Sequence, residues 1–126
     1  MIEETHRIRF HPPIKVVVGG YTSGHGFGDP TDVFGDVQSS VSVATAERFG
    51  VDLARRAGCF LTLGDEQYAV YGAKAEVWRK SDNPETVTPR VYIVDTAPQI
   101  FDAGDDNDHA QVTMVMPEHP EALSGD

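Results

Sequence analysis

Side-chain alternation constrains this chain more than any other feature. Arg7-Ile8-Arg9-Phe10 switches between polar and apolar at every step, and Asp36 to Val43 sets Val37, Val41 and Val43 against Gln38, Ser40 and Ser42. A period of two is the signature of a pleated strand with one face in a core and the other in water or on a neighbour. Ile14-Lys15-Val16-Val17-Val18 is a β-branched run bounded by Pro12-Pro13 and Gly19-Gly20, which also favours a strand. Arg90-Val91-Tyr92-Ile93-Val94 predicts another strand, and Gln111 to Met116 a last one with Val112, Met114 and Met116 on one side. Cys59 to Leu63 carries a weaker strand signal. Tyr68 to Trp78 carries a similarly weak strand signal and could pair as a hairpin or coil into a short helix.

One segment breaks this period. Ala46, Phe49, Leu53 and Ala57 are spaced by three and four, so a helix would place them on one face. Thr45 can accept from first-turn amides, Glu47 suits the positive end of the helix dipole, and Gly58 can stop the helix. Gly50 and Val51 weaken its interior, so it can end near Phe49. Between the strands, Gly19 to Pro30 holds five of the chain's 12 glycines and predicts a long mobile loop. Ser81 to Pro89, with Asp82-Asn83-Pro84, predicts a second loop, and Gly104-Asp105-Asp106-Asn107-Asp108 is turn chemistry. At 126 residues, two separate cores would each be marginal. The expected fold is mainly β: a small antiparallel β-barrel or sandwich with one short helix and long projecting loops. It forms a single domain over residues 1–116, followed by a polar C-terminal tail, 117–126.

Charge narrows the partners. The chain carries 20 Asp+Glu against 10 Lys+Arg, a formal charge of -10. Eight of those acids and none of the bases lie in residues 91–126, so the first 90 residues sum to only -2 (12 acids, 10 bases). Such a balance disfavours wrapping nucleic acid, which needs cations to displace counterions, and docking on an anionic membrane. No apolar run is long enough to span a bilayer. The acidic start Met1-Ile2-Glu3-Glu4 lacks the apolar core of a signal peptide. The single cysteine, Cys59, makes no internal disulfide, which fits a reducing site of folding. Many acids with only three Lys against seven Arg suit a high-salt host or a GC-rich genome.

No catalytic constellation emerges. Gly24-His25-Gly26-Phe27-Gly28 spaces glycines like a phosphate cradle, but Asp29-Pro30 follows where a helix should begin. A loop whose glycines supply positive φ is the simpler reading. His6, His11, His25, His109 and His119 pair at no ligand spacing, and the residues from Asp102 to Asp108 lack the order of an EF-hand loop. That cluster (Asp102, Asp105, Asp106, Asp108) reads as a solvated acidic turn, with incidental cation affinity left open. No nucleophile elbow is present, and Cys59 precedes an apolar strand, where a buried inert thiol is expected. The expectation is therefore no enzyme, no cofactor and no metal.

The order of parts carries a resemblance. A short strand leads to a glycine-rich projection, then a polar-faced strand, Asp36-Val37-Gln38-Ser39-Ser40, runs into a short helix with Glu47 in its first turn. Further strands follow, then Arg90-Val91-Tyr92-Ile93-Val94 and a terminal hairpin of Ile100-Phe101-Asp102 with Val112-Thr113-Met114. Over residues 7–116 this order resembles the head-closure (stopper) proteins of long-tailed viruses, small β-barrel proteins of the neck between portal and tail. The resemblance implies a virion protein assembled in the host cytoplasm, forming a closed ring of about twelve copies. Its partners would be itself, a portal or adaptor ring, a tail protein, and packaged DNA held in the lumen without specific binding; no membrane is involved. Gly20, Tyr21, Gly24, His25, Gly26, Phe27 and Gly28 would form the lumenal gate, and Asp82, Asn83, Pro84 and Glu85 a contact with the next ring. An acidic lumen would let DNA slide. Two alternatives stay open: another connector layer, such as an adaptor or tail-completion protein, and a small β-barrel ligand- or metal-binding module or enzyme.

Overall fold

In the computed structural model, the described residues are 3–18, 21–39, 56–102, 104 and 108–117. Nine strands form among them: β1 (His6–His11), β2 (Pro13–Val18), β3 (Tyr21–Phe27), β4 (Thr31–Ser39), β5 (Arg56–Leu61), β6 (Lys74–Arg79), β7 (Arg90–Val94), β8 (Gln99–Phe101) and β9 (His109–Val115). Six of them run antiparallel in the order β5-β4-β1-β6-β7-β9, and β9 pairs back onto β5 to close a barrel. Closure removes the exposed edges that an open sheet of this size would leave. The short strand β8 shares the edge of β9 with β7. Its Ile100 faces Ala110 and its Phe101 faces His109, while β7 takes Met114 and Val115.

The period-two stripes fill the barrel. Ile8 and Phe10 of β1, Val33 of β4, Ala57, Cys59 and Leu61 of β5, Ala75 and Val77 of β6, Tyr92 and Val94 of β7, and Ala110, Val112 and Met114 of β9 are all buried. Alanine on three of these strands leaves the room that Phe10, Leu61 and Met114 occupy, as interdigitation in a narrow barrel requires. Gly35 of β4 sits where a Cβ would come 2.6 Å from the Phe60 carbonyl oxygen and 2.9 Å from Leu61 Cδ2. The close approach of β4 to β5 therefore depends on a missing side chain.

The two ends of the barrel differ. At one end the chain from β5 to β6 folds over the core through a 3₁₀ turn, Asp65–Tyr68. Ala69 and Ala73 are buried beneath it, and Gly72 N–H donates to the Val94 carbonyl while Val94 N–H donates to that of Ala73, both at 2.9 Å. From this same end, β1 and β4 continue into β2 and β3 as one antiparallel ribbon. Between the pairs Phe10–Thr31 and Pro13–Phe27, three steps on one strand match four on the other. That is the mark of a bulge, which bends and twists a ribbon. Gly28 N–H seals the junction on the Pro12 carbonyl at 2.8 Å.

Several expectations are corrected here. The predicted loop from Gly19 to Pro30 is largely strand: Tyr21–Phe27 is β3, paired with β2 up to Val18–Tyr21. Its glycines face the β-branched run, Gly26 opposite Ile14 and Gly24 opposite Val16, so local propensity yields to cross-strand pairing. The predicted helix falls mostly on residues 40–55, outside the described residues. Its last members, Ala57 and Gly58, are in β5, where Ala57, Cys59 and Leu61, two residues apart, are buried in the core. Residues 40–43 of the predicted Asp36 to Val43 strand also lie outside. The weaker strand signal over Tyr68 to Trp78 holds for its second half, which is in β6, while Tyr68 ends the 3₁₀ turn and the segment forms neither a helix nor a hairpin of its own. The terminal hairpin uses His109, Ala110 and Gln111 rather than Val112, Thr113 and Met114.

Candidate functional site: the arm and the barrel mouth

The residues predicted to gate a lumen lie along the ribbon. Tyr21, Gly24, His25, Gly26 and Phe27 are in β3 and Gly28 ends it, while Gly20 is outside the described residues. The β2–β3 ribbon is a separate two-stranded sheet, with no third strand among the described residues. Its base is fixed: Lys74 Nζ lies 5.2 Å from the centre of the Phe27 ring, within reach of a cation–π attraction. Among the described residues this segment is therefore paired strand rather than the predicted loop.

The predicted ring-contact loop is held in place by its own turn. Asn83 Oδ1 accepts from Glu85 N–H at 3.0 Å, and the Asn83 carbonyl accepts from Val87 N–H at 2.9 Å. Trp78 Nε1–H donates to the Val87 carbonyl at 2.7 Å and is buried under this loop. Glu85 stays exposed, whereas Asp82 turns back to accept from Arg79 N–H at 3.3 Å. In the acidic turn, the Asp108 carboxylate accepts from Gly104 N–H at 3.0 and 3.1 Å, and Asp102 is exposed. Asp105 and Asp106 lie outside the described residues. The turn thus uses Asp108 to hold its own backbone at Gly104, whose φ of +79° suits glycine.

At the barrel end opposite the arm, the inward stripes stop being apolar. One step beyond Ile8 on its stripe is His6, beyond Val77 is Arg79, and before Tyr92 is Arg90. These residues, with Val37, Arg56, Trp78, Asp82, Thr88 and Met116, line an open cavity of about 500 Å³. That volume is in the range of small-ligand sites. Arg56 is committed to Asp95, which also accepts from the Thr113 hydroxyl at 2.6 Å. Arg79 and Arg90 have no ion pair among the described residues. Burial lowers the His6 pKa, Asp36 opposes the shift, and the positive charges of Arg90 and Arg79 lower it further. His6 is therefore neutral at pH 7, and the mouth is positive through arginine alone.

Sequence reading missed this mouth, because its cations are far apart in the chain and meet only on closure. A signal was nevertheless available: three core stripes end in His6, Arg79 and Arg90 at matching strand ends. The outer wall of β1, β4 and β6 holds another set of charges. Arg9 makes a two-pronged pair with Asp32 at 2.7 and 3.1 Å, with its guanidinium 5.1 Å from the Trp78 ring centre. That hydrogen bond holds the Asp32 carboxyl below its usual pKa. His11 pairs with Glu76 nearby. Cys59 is fully buried and burial pushes its thiol up to about 12, so the expected inert cysteine is what the fold contains. Among the described residues, no three His, Cys, Asp or Glu side chains gather as a metal site, and no helix is long and apolar enough to cross a membrane. No family model, curated protein or solved structure matches the chain.

Proposed function

We propose that this protein is a structural component of the neck of a long-tailed virus, a head-closure ring of about twelve copies that joins head to tail. The observation that carries this reading is the arm: a two-stranded ribbon projecting from a barrel that is otherwise closed. A lone two-stranded ribbon is marginally stable in water, and its open edges accept strands from another chain. A ring subunit can use such an edge to pair with its neighbour. The resemblance in element order supports the same reading, and so does the net charge of -10, which keeps a lumen wall from adhering to DNA. The protein acts without catalysis, cofactor or metal. The arm then faces the lumen, and the loop with Asp82, Asn83, Pro84 and Glu85 meets the next ring. The test is deletion of residues 14–26 in the virus: particles should lose packaged DNA or fail to join tails. Particles with full DNA and normal tails would overturn the reading.

The cavity at the barrel mouth favours a second reading, a small-ligand or peptide-binding domain that works as a monomer. The symmetry of the native assembly separates the two readings.

A further inference from the structure

We propose that the barrel mouth is a binding site for an acidic, extended peptide segment that carries an apolar side chain beside its carboxylates. The inference holds for a ring connector and for a free-standing domain alike, because it rests on the mouth rather than on the arm. Arg79 and Arg90 extend two core stripes to the rim and lack ion pairs among the described residues, an unusual placement in a chain of net charge -10. Planar guanidinium groups match carboxylates in a two-pronged geometry. Val77 and Tyr92, buried on the inward face, line the cavity together with Trp78, so a fitting ligand can bring hydrocarbon as well as charge.

Asp82, also at the rim, decides between ligand classes. A carboxylate there repels any anion, but it can accept from the backbone N–H groups of a peptide, donors that a polyphosphate chain lacks. The cavity of about 500 Å³ has room for a few residues. A segment of this chemistry is at hand in the chain itself. Met116 lines the mouth, and the sequence directly after it, Pro117-Glu118-His119-Pro120-Glu121-Ala122-Leu123-Ser124-Gly125-Asp126, has three acids, no Lys or Arg, and one leucine. A segment tethered at the rim, or presented by a neighbouring copy, gains a high effective concentration.

Trp78, the single tryptophan, lines the mouth and reports on it. The experiment titrates the full chain with a synthetic peptide of sequence 117–126, with inorganic phosphate and with a short DNA oligonucleotide, following Trp78 emission. A saturable shift with the peptide, weakened about tenfold by each of Arg79→Ala and Arg90→Ala, supports the site and a segment supplied from another molecule. If the full chain is silent but the Glu118→Gln/Glu121→Gln/Asp126→Asn variant binds the peptide, the chain's own segment is the occupant. Both arginines are exposed, so circular dichroism of the variants should match the parent. Three results would overturn the proposal: equal peptide binding after both arginine substitutions, no response in either chain, or a response to phosphate or DNA alone. None of them bears on the arm, so failure here leaves the ring reading standing.

Discussion

The two ends of the barrel are built from the same six strands and have opposite designs. At the arm end the stripes of β1, β5, β7 and β9 stay apolar to their last inward residue, with Thr31 of β4 the exception, and Phe10, Leu61, Ala69 and Ala73 are all buried. There the exposed feature is backbone, carried outward as the β2–β3 ribbon. At the mouth end three stripes terminate in His6, Arg79 and Arg90 around a cavity, and among the described residues the exposed feature is charge. One end offers hydrogen-bonding edges and the other offers side-chain chemistry. A single alternating pattern produces both, and the difference lies in which residue occupies the final inward position.

The sharpest way to break this comparison is through stability. Phe10→Ala empties the sealed end and should cost about 3–5 kcal/mol in chemical denaturation. Arg79→Ala at the open end should stay within about 0.5 kcal/mol. Comparable losses at both ends would mean that the mouth is part of the packed core. Gly35→Val should rival the Phe10 loss, since its Cβ would press on the Phe60 carbonyl from 2.6 Å.

Removal of the arm, residues 14–26 replaced by a two-residue turn, tests whether it belongs to the barrel's own cooperative unit. The melting temperature should change by less than about 5 °C, a small fraction of a domain's stability. A collapse of the transition would instead make the arm part of the core.

A smaller effect comes from the outer wall. Asp32→Asn should cost about 0.5–1 kcal/mol at neutral pH, because the Arg9–Asp32 pair is about a third exposed and screened by water. Asp32 has a lowered folded pKa, so its contribution is present above its unfolded value of 3.8 and lost as pH falls below it. Acid unfolding of the variant should lack that component.

The smallest effect belongs to the mouth. Burial lowers the folded pKa of His6, so the unfolded chain takes up the proton first. Stability should be steady above pH 6.5 and decline as pH falls through and below that value. His6→Gln should flatten this slope, and a slope unchanged by the substitution would remove His6 from the mouth's electrostatics.

Much of the barrel was legible because alternation is local. Arg90 to Val94 forms β7 as read, and the stripe of Val112 and Met114 in β9 is buried as read. The arm was less legible, because glycine-rich β3 becomes strand only through pairing with Ile14 and Val16. Ala57 fitted both a three-four spacing and a two-step one, and its neighbours Cys59 and Leu61 in the closed barrel decide for strand. The mouth was hidden for a different reason: His6, Arg56, Arg79 and Arg90 meet only once β9 returns to β5. Long-range closure is not written in any one window of sequence.

The central claim, that the arm builds a ring, is tested most directly by the symmetry of the native particle, imaged by electron microscopy. The prediction is a ring of about twelve copies at the neck of a DNA-containing particle, with the β2–β3 arms buried against neighbouring subunits. A protein that remains a monomer in its native setting, with both edges of the arm in water, would contradict it.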